Sequence, residues 1–236
     1  KTKTDTGVKF SYEWLDIENE RQSITFELPK SALKDAPTRQ ANYKPKIAQR
    51  HVTVALVEEA KKMGFEVIPQ EGKGHGNAFL TGVHASNADY FIMWAPDGNF
   101  EPEEIPKLTE KIHEGFEQVV ISRFARNSIN DDAGFWDTFG NRMFAFLTNV
   151  FFGGNCTDSL NGSRIISRKL MDEIKFDAFG LDSVLQMSIR GLIKNQKIIE
   201  IIGNERARVG GERKMHRIPT AIKLTTRIIR EFFWKG

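Results

Sequence analysis

The sequence predicts an α/β protein with a mostly parallel sheet flanked by helices and a β-hairpin at its N-terminus. Three observations point there. From residue 53 onward, stretches of helical periodicity alternate with short apolar runs. Those runs stop at glycine or proline, as in Tyr90-Phe91-Ile92-Met93-Trp94-Ala95-Pro96-Asp97-Gly98-Asn99, where Pro96, Gly98 and Pro102 forbid continuation of the strand. Before residue 30 the period is two instead: Val8, Phe10, Tyr12 and Trp14 alternate with polar residues, as do Ile24, Phe26 and Leu28, with IENERQ between them as a hairpin loop.

Pro29 ends the second strand, and residues 30–50 carry much charge and little periodicity, which reads as an irregular connection. Residues 54–63 have apolar residues at helical spacing, Lys61 and Lys62 in the last turn and Gly64 as a cap; FEVIP then makes a short strand. A glycine-rich turn, Gly72 to Gly76, leads to a helix near 78–85, the strand at Tyr90, a helix over 102–115 and the strand Gln118–Ser122. Between Phe135 and Phe152 lie six of the eighteen phenylalanines, with Trp136, Met143 and Leu147, too many for one helix face to bury against a sheet. This segment is either sandwiched between the sheet and C-terminal helices or meets a membrane or lipid tail. A strand Arg164–Ser167, helices over 169–174 and 181–193, and a strand over 197–202 complete the core. Residues 220–234 form an amphipathic helix, with Lys223, Arg227 and Arg230 on one stripe and Ile222, Ile229 and Phe233 on another.

At 236 residues, 40% hydrophobic and 28% charged, the chain has the composition of a globular protein with one core. The single Cys156 excludes an internal disulfide and a cysteine zinc site, and fits a reducing compartment. No apolar run approaches the roughly 18 residues of a membrane span, and the opening KTKTDTG has the polarity of no secretory leader. His51, His75, His84, His113 and His216 show no metal spacing, and there is no Gly-x-Ser-x-Gly elbow, Walker loop or G-x-G-x-x-G turn. The net charge of +3 says little as a total, but nine of the lysines and arginines fall between residues 206 and 235, which points to an anionic partner there. Aromatic residues are not interleaved with that charge, so nucleic acid is not the expected partner.

Asp97 and Asn99 sit just past the end of a buried strand. In an open α/β sheet, ligands bind at that end, and a carboxylate and an amide oxygen in one turn suit a hard divalent cation or a ribose phosphate. The plainer alternative is a capped turn ahead of a helix.

GKGHGNAFLTG, ADYFIMWAPDGNFEPEEIPKL, VVISRF, FGNRM, FFGGNCTDSLNGSRIISRKL, FGLD and ERARVGGERKM stand in the order and at the intervals of the motifs of family-2 glycosyltransferases. The sequence most resembles the branch of dolichyl- and polyprenyl-phosphate sugar transferases, over roughly residues 53–236. The resemblance implies a GT-A fold, here a single domain over 1–236 with a divergent part at 1–50 and a basic loop and amphipathic helix at 206–236. It also implies inverting transfer of a sugar from a nucleoside-diphosphate sugar to a polyprenyl phosphate or a glycan, in polysaccharide biosynthesis, at a cytoplasmic site peripheral to the inner face of the membrane. Two departures stand out. The family's Asp-x-Asp reads Ala95-Pro96-Asp97 here, and Pro29 is followed by KSALKD where the family has Pro-x-x-Asn-Glu, with only Thr53 left of the second motif. They keep open a second reading, a nucleotide-sugar or partner-binding module without the chemistry.

Sugar transfer places negative charge on a departing diphosphate, and the site needs cations aimed at it. The resemblance assigns Mg2+ or Mn2+ to Asp97, helped by Asn99 or Glu101, and puts Arg208, Arg213 and Lys214 on a loop hinged at Gly210 and Gly211 that closes over the donor. Lys73 and Gly74 approach the donor in the glycine-rich turn. Arg123 and Arg142 are expected to take an acceptor phosphate, because a guanidinium grips phosphate bidentately. Asp158 and Asp182 are the candidate general bases. An acceptor phosphate, with its second pKa of about 6, hardly needs one.

Overall fold

The computed structural model describes residues 8–15, 21–28, 67–70, 72–94, 99–101, 103–207 and 216–236, with side chains from residue 67 onward. The expected hairpin is present: β1 (Val8–Leu15) pairs antiparallel with β2 (Arg21–Leu28), with Val8 opposite Leu28 and Leu15 opposite Arg21. The connection expected over 30–50 and the helix over 54–63 lie outside the described residues. FEVIP does not form a strand in its described part, since residues 67–70 have no regular structure. Pro69 cannot donate to a ladder, and Val67 instead packs its side chain onto the core.

The remaining elements are α1 (His75–His84), β3 (Tyr90–Met93), α2 (Glu104–His113), β4 (Gln118–Ser122), α3 (Phe135–Phe152), β5 (Arg164–Ser167), α4 (Arg168–Ile174), α5 (Asp182–Ile193), β6 (Ile198–Ile202) and α6 (Arg217–Phe232). One sheet has the order β2-β1-β3-β5-β4-β6. β1, β3, β4 and β6 run one way, while β2 and β5 run against them, so the sheet is mixed. The reversal of β5 has a consequence for function. Arg164, its first residue, pairs with both Met93 and Val120, so the chain entering β5 arrives at the carboxyl ends of β3 and β4.

Side chains of successive strand residues point to opposite faces, and two cores form accordingly. Ile92, Trp94, Val119, Ile121 and Ile165 face α2 with Phe100, Leu108 and Ile112. Phe91, Met93 and Ile166 face the other way onto Phe79, Leu170, Ile174, Val184 and Met187 of α1, α4 and α5. Each such side chain, fully buried, contributes about 1.5–3 kcal/mol. α5 is buried on every side from Asp182 to Gly191. Its outer face meets Phe144 of α3 and Leu224 and Ile228 of α6 in a third cluster. α4 starts where the Ser167 hydroxyl accepts from the Leu170 amide at 3.0 Å, and α3 stops at Gly153, whose φ of 74° is the left-handed cap that favours glycine.

α3 is packed on one side only. Phe144, Ala145 and Thr148 are buried, whereas Phe135 is 76% exposed, Trp136 66% and Phe146 63%. The sandwiched placement therefore holds for one face of the helix and fails for the other. Among the described residues no helix is long and apolar enough to cross a membrane.

Candidate active site

The carboxyl edge of the sheet gathers four connections: residues 99–101 beyond β3, the segment after β4, the chain entering β5, and the segment after β6. Trp94 and Phe100 stack edge to face at 6.0 Å, and Asn99 beside Phe100 is buried. The segment after β6 is fastened to Asn99, Glu101 and Glu104. The Arg206 amide donates to the Asn99 carbonyl at 2.8 Å, the Arg206 guanidinium pairs with Glu101, and the Asn204 amide donates to Glu104 Oε1 at 3.0 Å. Gly203 has to be glycine here, because a Cβ would lie 2.1 Å from Ile121 Cγ2. Burial pushes the Glu104 carboxyl up to about 6. On the other side, the Glu205 amide donates to the Ile129 carbonyl at 2.9 Å and the Asp131 amide to the Glu205 carbonyl at 2.8 Å.

Two of the expected site residues neutralise each other. Arg123, at the end of β4, donates from Nε and Nη2 to the two oxygens of Asp158 at 2.6 and 2.9 Å, with Glu205 at 3.5 Å and Asn141 Oδ1 at 3.1 Å from the same guanidinium. Burial alone would lower the Arg123 pKa, but Asp158 and Glu205 more than offset it. Asp158 is 1% exposed and also faces the amide of Arg123 at 3.2 Å. Arg123 is thus not the open phosphate receptor expected from the sequence, nor is Asp158 an open base. Arg142 is exposed on α3.

Asp182 is similarly enclosed. It opens α5, is 4% exposed, and its Oδ2 accepts from Arg227 Nε at 2.8 Å and Nη2 at 2.6 Å, with Lys223 Nζ 3.3 Å from Oδ1. Burial raises its pKa less than Arg227 and Lys223 lower it, so the net shift is downward. The same ion network continues through Glu231 and Asp177 to Arg190, whose Nε lies 2.6 Å from Glu231. Arg227 is therefore a buried clamp between α5 and α6, not part of the solvated stripe expected for it. An open cleft of about 510 Å3 lies between residues 177–182 and α6, lined by Asp177, Phe179, Asp182, Lys223, Arg227 and Arg230 among others.

Lys73 and Gly74 precede α1 on the wall next to this cleft. The close approach that the glycines permit is to protein: the Gly76 amide donates to the Phe179 carbonyl at 3.0 Å, and a Cβ on Gly76 would lie 1.8 Å from the Ala178 oxygen. His75 Nδ1 meets Ser183 Oγ at 2.9 Å, and a Cβ on Gly162 would touch His75, Met93 and Val184 together. The starts of α1 and α5 thus meet the end of β3.

Asp97, Arg208, Arg213 and Lys214 lie outside the described residues. Asn99 is buried and Glu101 is engaged by Arg206; among the described residues no group of three acidic, histidine or cysteine side chains forms a ready metal cage. The oxygen donors available are of the type a hard divalent cation takes, provided a ligand phosphate completes the shell. Sequence reasoning missed Glu104, Glu205 and Glu231. Glu104 and Glu205 stand among polar residues and Glu231 in an amphipathic stretch, and only the fold shows that they are buried.

A family model described as glycosyl transferase family 2 matches residues 48–175. Among curated relatives, the low-salt glycan biosynthesis hexosyltransferase Agl6 of Haloferax volcanii is 26% identical over 61% of this chain and 35% of its own length. A dolichyl-phosphate hexose transferase of the same organism is 28% identical over 65% of this chain and 66% of its own, and a dolichol-phosphate mannosyltransferase of Pyrococcus furiosus is 22% identical over 70% and 46%. The chain thus spans between about a third and two thirds of the length of these relatives. Glucosyl-3-phosphoglycerate synthase of Mycobacterium tuberculosis, solved with Mn2+, uridine diphosphate and glucosyl-3-phosphoglycerate, superposes with a TM-score of 0.57 at 17% identity, over 76% of this chain and 65% of that one. The fold is GT-A-like, as the motifs imply.

Proposed function

The chain belongs to glycosyl transferase family 2, and on that premise we propose that it transfers a hexose, with inversion, from a nucleoside-diphosphate sugar to the phosphate of a polyprenyl phosphate. The observation that carries the choice of acceptor is that both candidate bases are engaged, Asp158 by Arg123 and Asp182 by Arg227. A hydroxyl acceptor needs a base to remove its proton. A phosphate, with a second pKa of about 6, arrives already ionised.

In the reaction so read, an oxygen of the acceptor phosphate forms a bond to C1 of the sugar from the face opposite the diphosphate. The bond from C1 to the diphosphate oxygen breaks, the nucleoside diphosphate departs, and no proton moves at C1. Asp97 and Asn99 would hold Mg2+ or Mn2+, which would supply charge neutralisation at the leaving group. Arg208, Arg213 and Lys214 add to it from the loop that follows the anchored residues 203–206. Residues 203–206, tied to both Asn99 and Ile129, fix where that loop departs from the sheet.

The membrane is the expected location of such an acceptor. α3 and α6 lie side by side, joined by the Asp137–Arg217 ion pair at their starts and by the Phe151–Phe232 ring contact at their ends. Phe135, Phe139 and Phe146 of α3 and Ile218, Ile222 and Ile229 of α6 are all exposed, which supports peripheral attachment through both helices at the cytoplasmic face.

A thermal-shift screen of nucleoside-diphosphate sugars with Mn2+ tests the donor half. A donor at a hundred times its dissociation constant stabilises the wild type by about 2.7 kcal/mol. Asp97→Ala should lose the Mn2+-dependent part of that shift while melting normally without ligand; an unchanged shift in the variant refutes the assignment of Asp97.

A further inference from the structure

With Arg123 closed onto Asp158, Arg142 on α3 is the one expected phosphate cation left exposed, and the acceptor's phosphate needs further cations. We propose that it docks in the cleft between residues 177–182 and α6, gripped by Lys223 and Arg230. This rests on the phosphate-acceptor reading above and names the place where that acceptor is held.

The charges lining the cleft favour an anion. Three cations, Lys223, Arg227 and Arg230, face two carboxylates, Asp177 and Asp182. Arg227 already engages both carboxylates: its Nε and Nη2 donate to Asp182 Oδ2 and its Nη1 reaches Asp177 at 3.4 Å, while Arg190 reaches Asp177 at 3.1 Å. Lys223 has one carboxylate oxygen at 3.3 Å, and its side chain is 55% exposed, which leaves its other protons directed to the opening. Arg230 is exposed at the cleft wall. Lys223 and Arg230 are seven residues apart, two turns of one helix, and so share a stripe.

The location of that stripe selects a lipid phosphate. Next to it on α6 runs the exposed apolar stripe of Ile218, Ile222, Ile229 and Phe233, and across the cleft stands Phe179, 53% exposed. A helix lying in a membrane surface with that apolar stripe inserted carries flanking cations at the level of the head groups. The cleft also opens beside the start of α5, where His75 and Ser183 meet near the end of β3, so a phosphate there stands on the side of the sheet that binds the donor. Gly180 is part of the construction. A Cβ at that position would lie 2.0 Å from Lys223 Nζ, so only glycine lets the ammonium lie against Asp182.

The test is binding of inorganic phosphate, a short-chain prenyl phosphate and the matching prenol, by calorimetry with anion-free buffer, to the wild type, to the double variant Lys223→Ala with Arg230→Ala, and to Gly180→Ala. Lys223 and Arg230 are exposed, so the double variant should retain the fold, and its melting temperature checks this; the Cβ of Gly180→Ala meets the flexible end of Lys223 at 2.0 Å and Asp182 Oδ1 at 2.9 Å. Loss of charge-assisted hydrogen bonds of this kind weakens binding about tenfold or more. The double variant should lose that factor for prenyl phosphate and show no change for prenol. Gly180→Ala, which moves the ammonium without removing its charge, should weaken prenyl phosphate as well. Inorganic phosphate binding that falls in parallel supports a receptor for the phosphate itself; loss confined to prenyl phosphate supports one that reads phosphate and chain together. Prenyl phosphate binding that is equal in wild type and double variant overturns the cleft. A wild type that binds prenyl phosphate through Lys223 yet binds no nucleotide sugar would uphold the cleft and overturn the proposed reaction instead.

Discussion

Glu104 is 3% exposed in the first turn of α2, with Oε1 accepting from the Asn204 amide and Oε2 without a hydrogen-bond partner among the described residues. Burial raises its pKa from 4.5 to about 6. The folded state therefore binds the proton more tightly than the unfolded chain. Its contribution to stability is intact below about 4.5, falls as pH rises through 4.5 to 6, and stays low above that; the loss amounts to about 1–2 kcal/mol. Glu104→Gln keeps the acceptor for Asn204 and removes the titration. Chemical denaturation should find the variant more stable than the wild type by about that amount at pH 7.5 and indistinguishable from it at pH 4. A variant less stable at pH 7.5 would show that the carboxylate is held by something other than Asn204. At this scale the sequence was only partly legible. Asp158 and Asp182 stand in motifs, so they could be singled out, but their partners Arg123 and Arg227 lie 35 and 45 residues away in the chain. Nothing in local pattern says that a carboxylate which could act as a base is already paired.

The helices show the same division between pattern and partner. α3 and α6 were legible from periodicity, α3 with the boundaries of its aromatic segment. Periodicity does not say which stripe is packed. α6 has three: Leu224 and Ile228 against α5, Lys223 and Arg230 at the cleft, and an exposed apolar stripe from Ile218 to Phe233. Arg227, at helical spacing with the two exposed cations, is instead buried on Asp182 and Glu231. It does not count toward a membrane surface. Lys223 and Arg230 supply about 2 kcal/mol with anionic lipid, and insertion of the exposed aromatics must supply the rest. Sedimentation with anionic vesicles at low salt should therefore bring down the wild type, and replacing Trp136 and Phe233 by serine should leave most of it in the supernatant. A wild type that does not sediment would place another partner on this face.

The sheet decides the site for the whole molecule. The alternation of helices and strands after residue 70 and the hairpin before residue 30 could both be read in the sequence, because each depends on local periodicity. The direction of β5 could not. A four-residue apolar run looks the same either way, and the reversal is visible only in its pairing of Arg164 with both Met93 and Val120. That reversal delivers Asp158 to Arg123 at the carboxyl edge. It pairs the expected phosphate receptor with one expected base, and it is the feature on which the proposed phosphate acceptor rests.

The direct measurement is product formation from a nucleoside-diphosphate hexose and Mn2+, with a short-chain polyprenyl phosphate or the matching polyprenol as acceptor, followed from pH 7 to 9. The account predicts a hexosyl phosphate with inverted anomeric configuration from the phosphate alone, at a rate flat across that range, since the acceptor is fully ionised above a pKa of about 6. Transfer to the polyprenol, or a rate on the phosphate that climbs with pH as a protein base loses its proton, would contradict it.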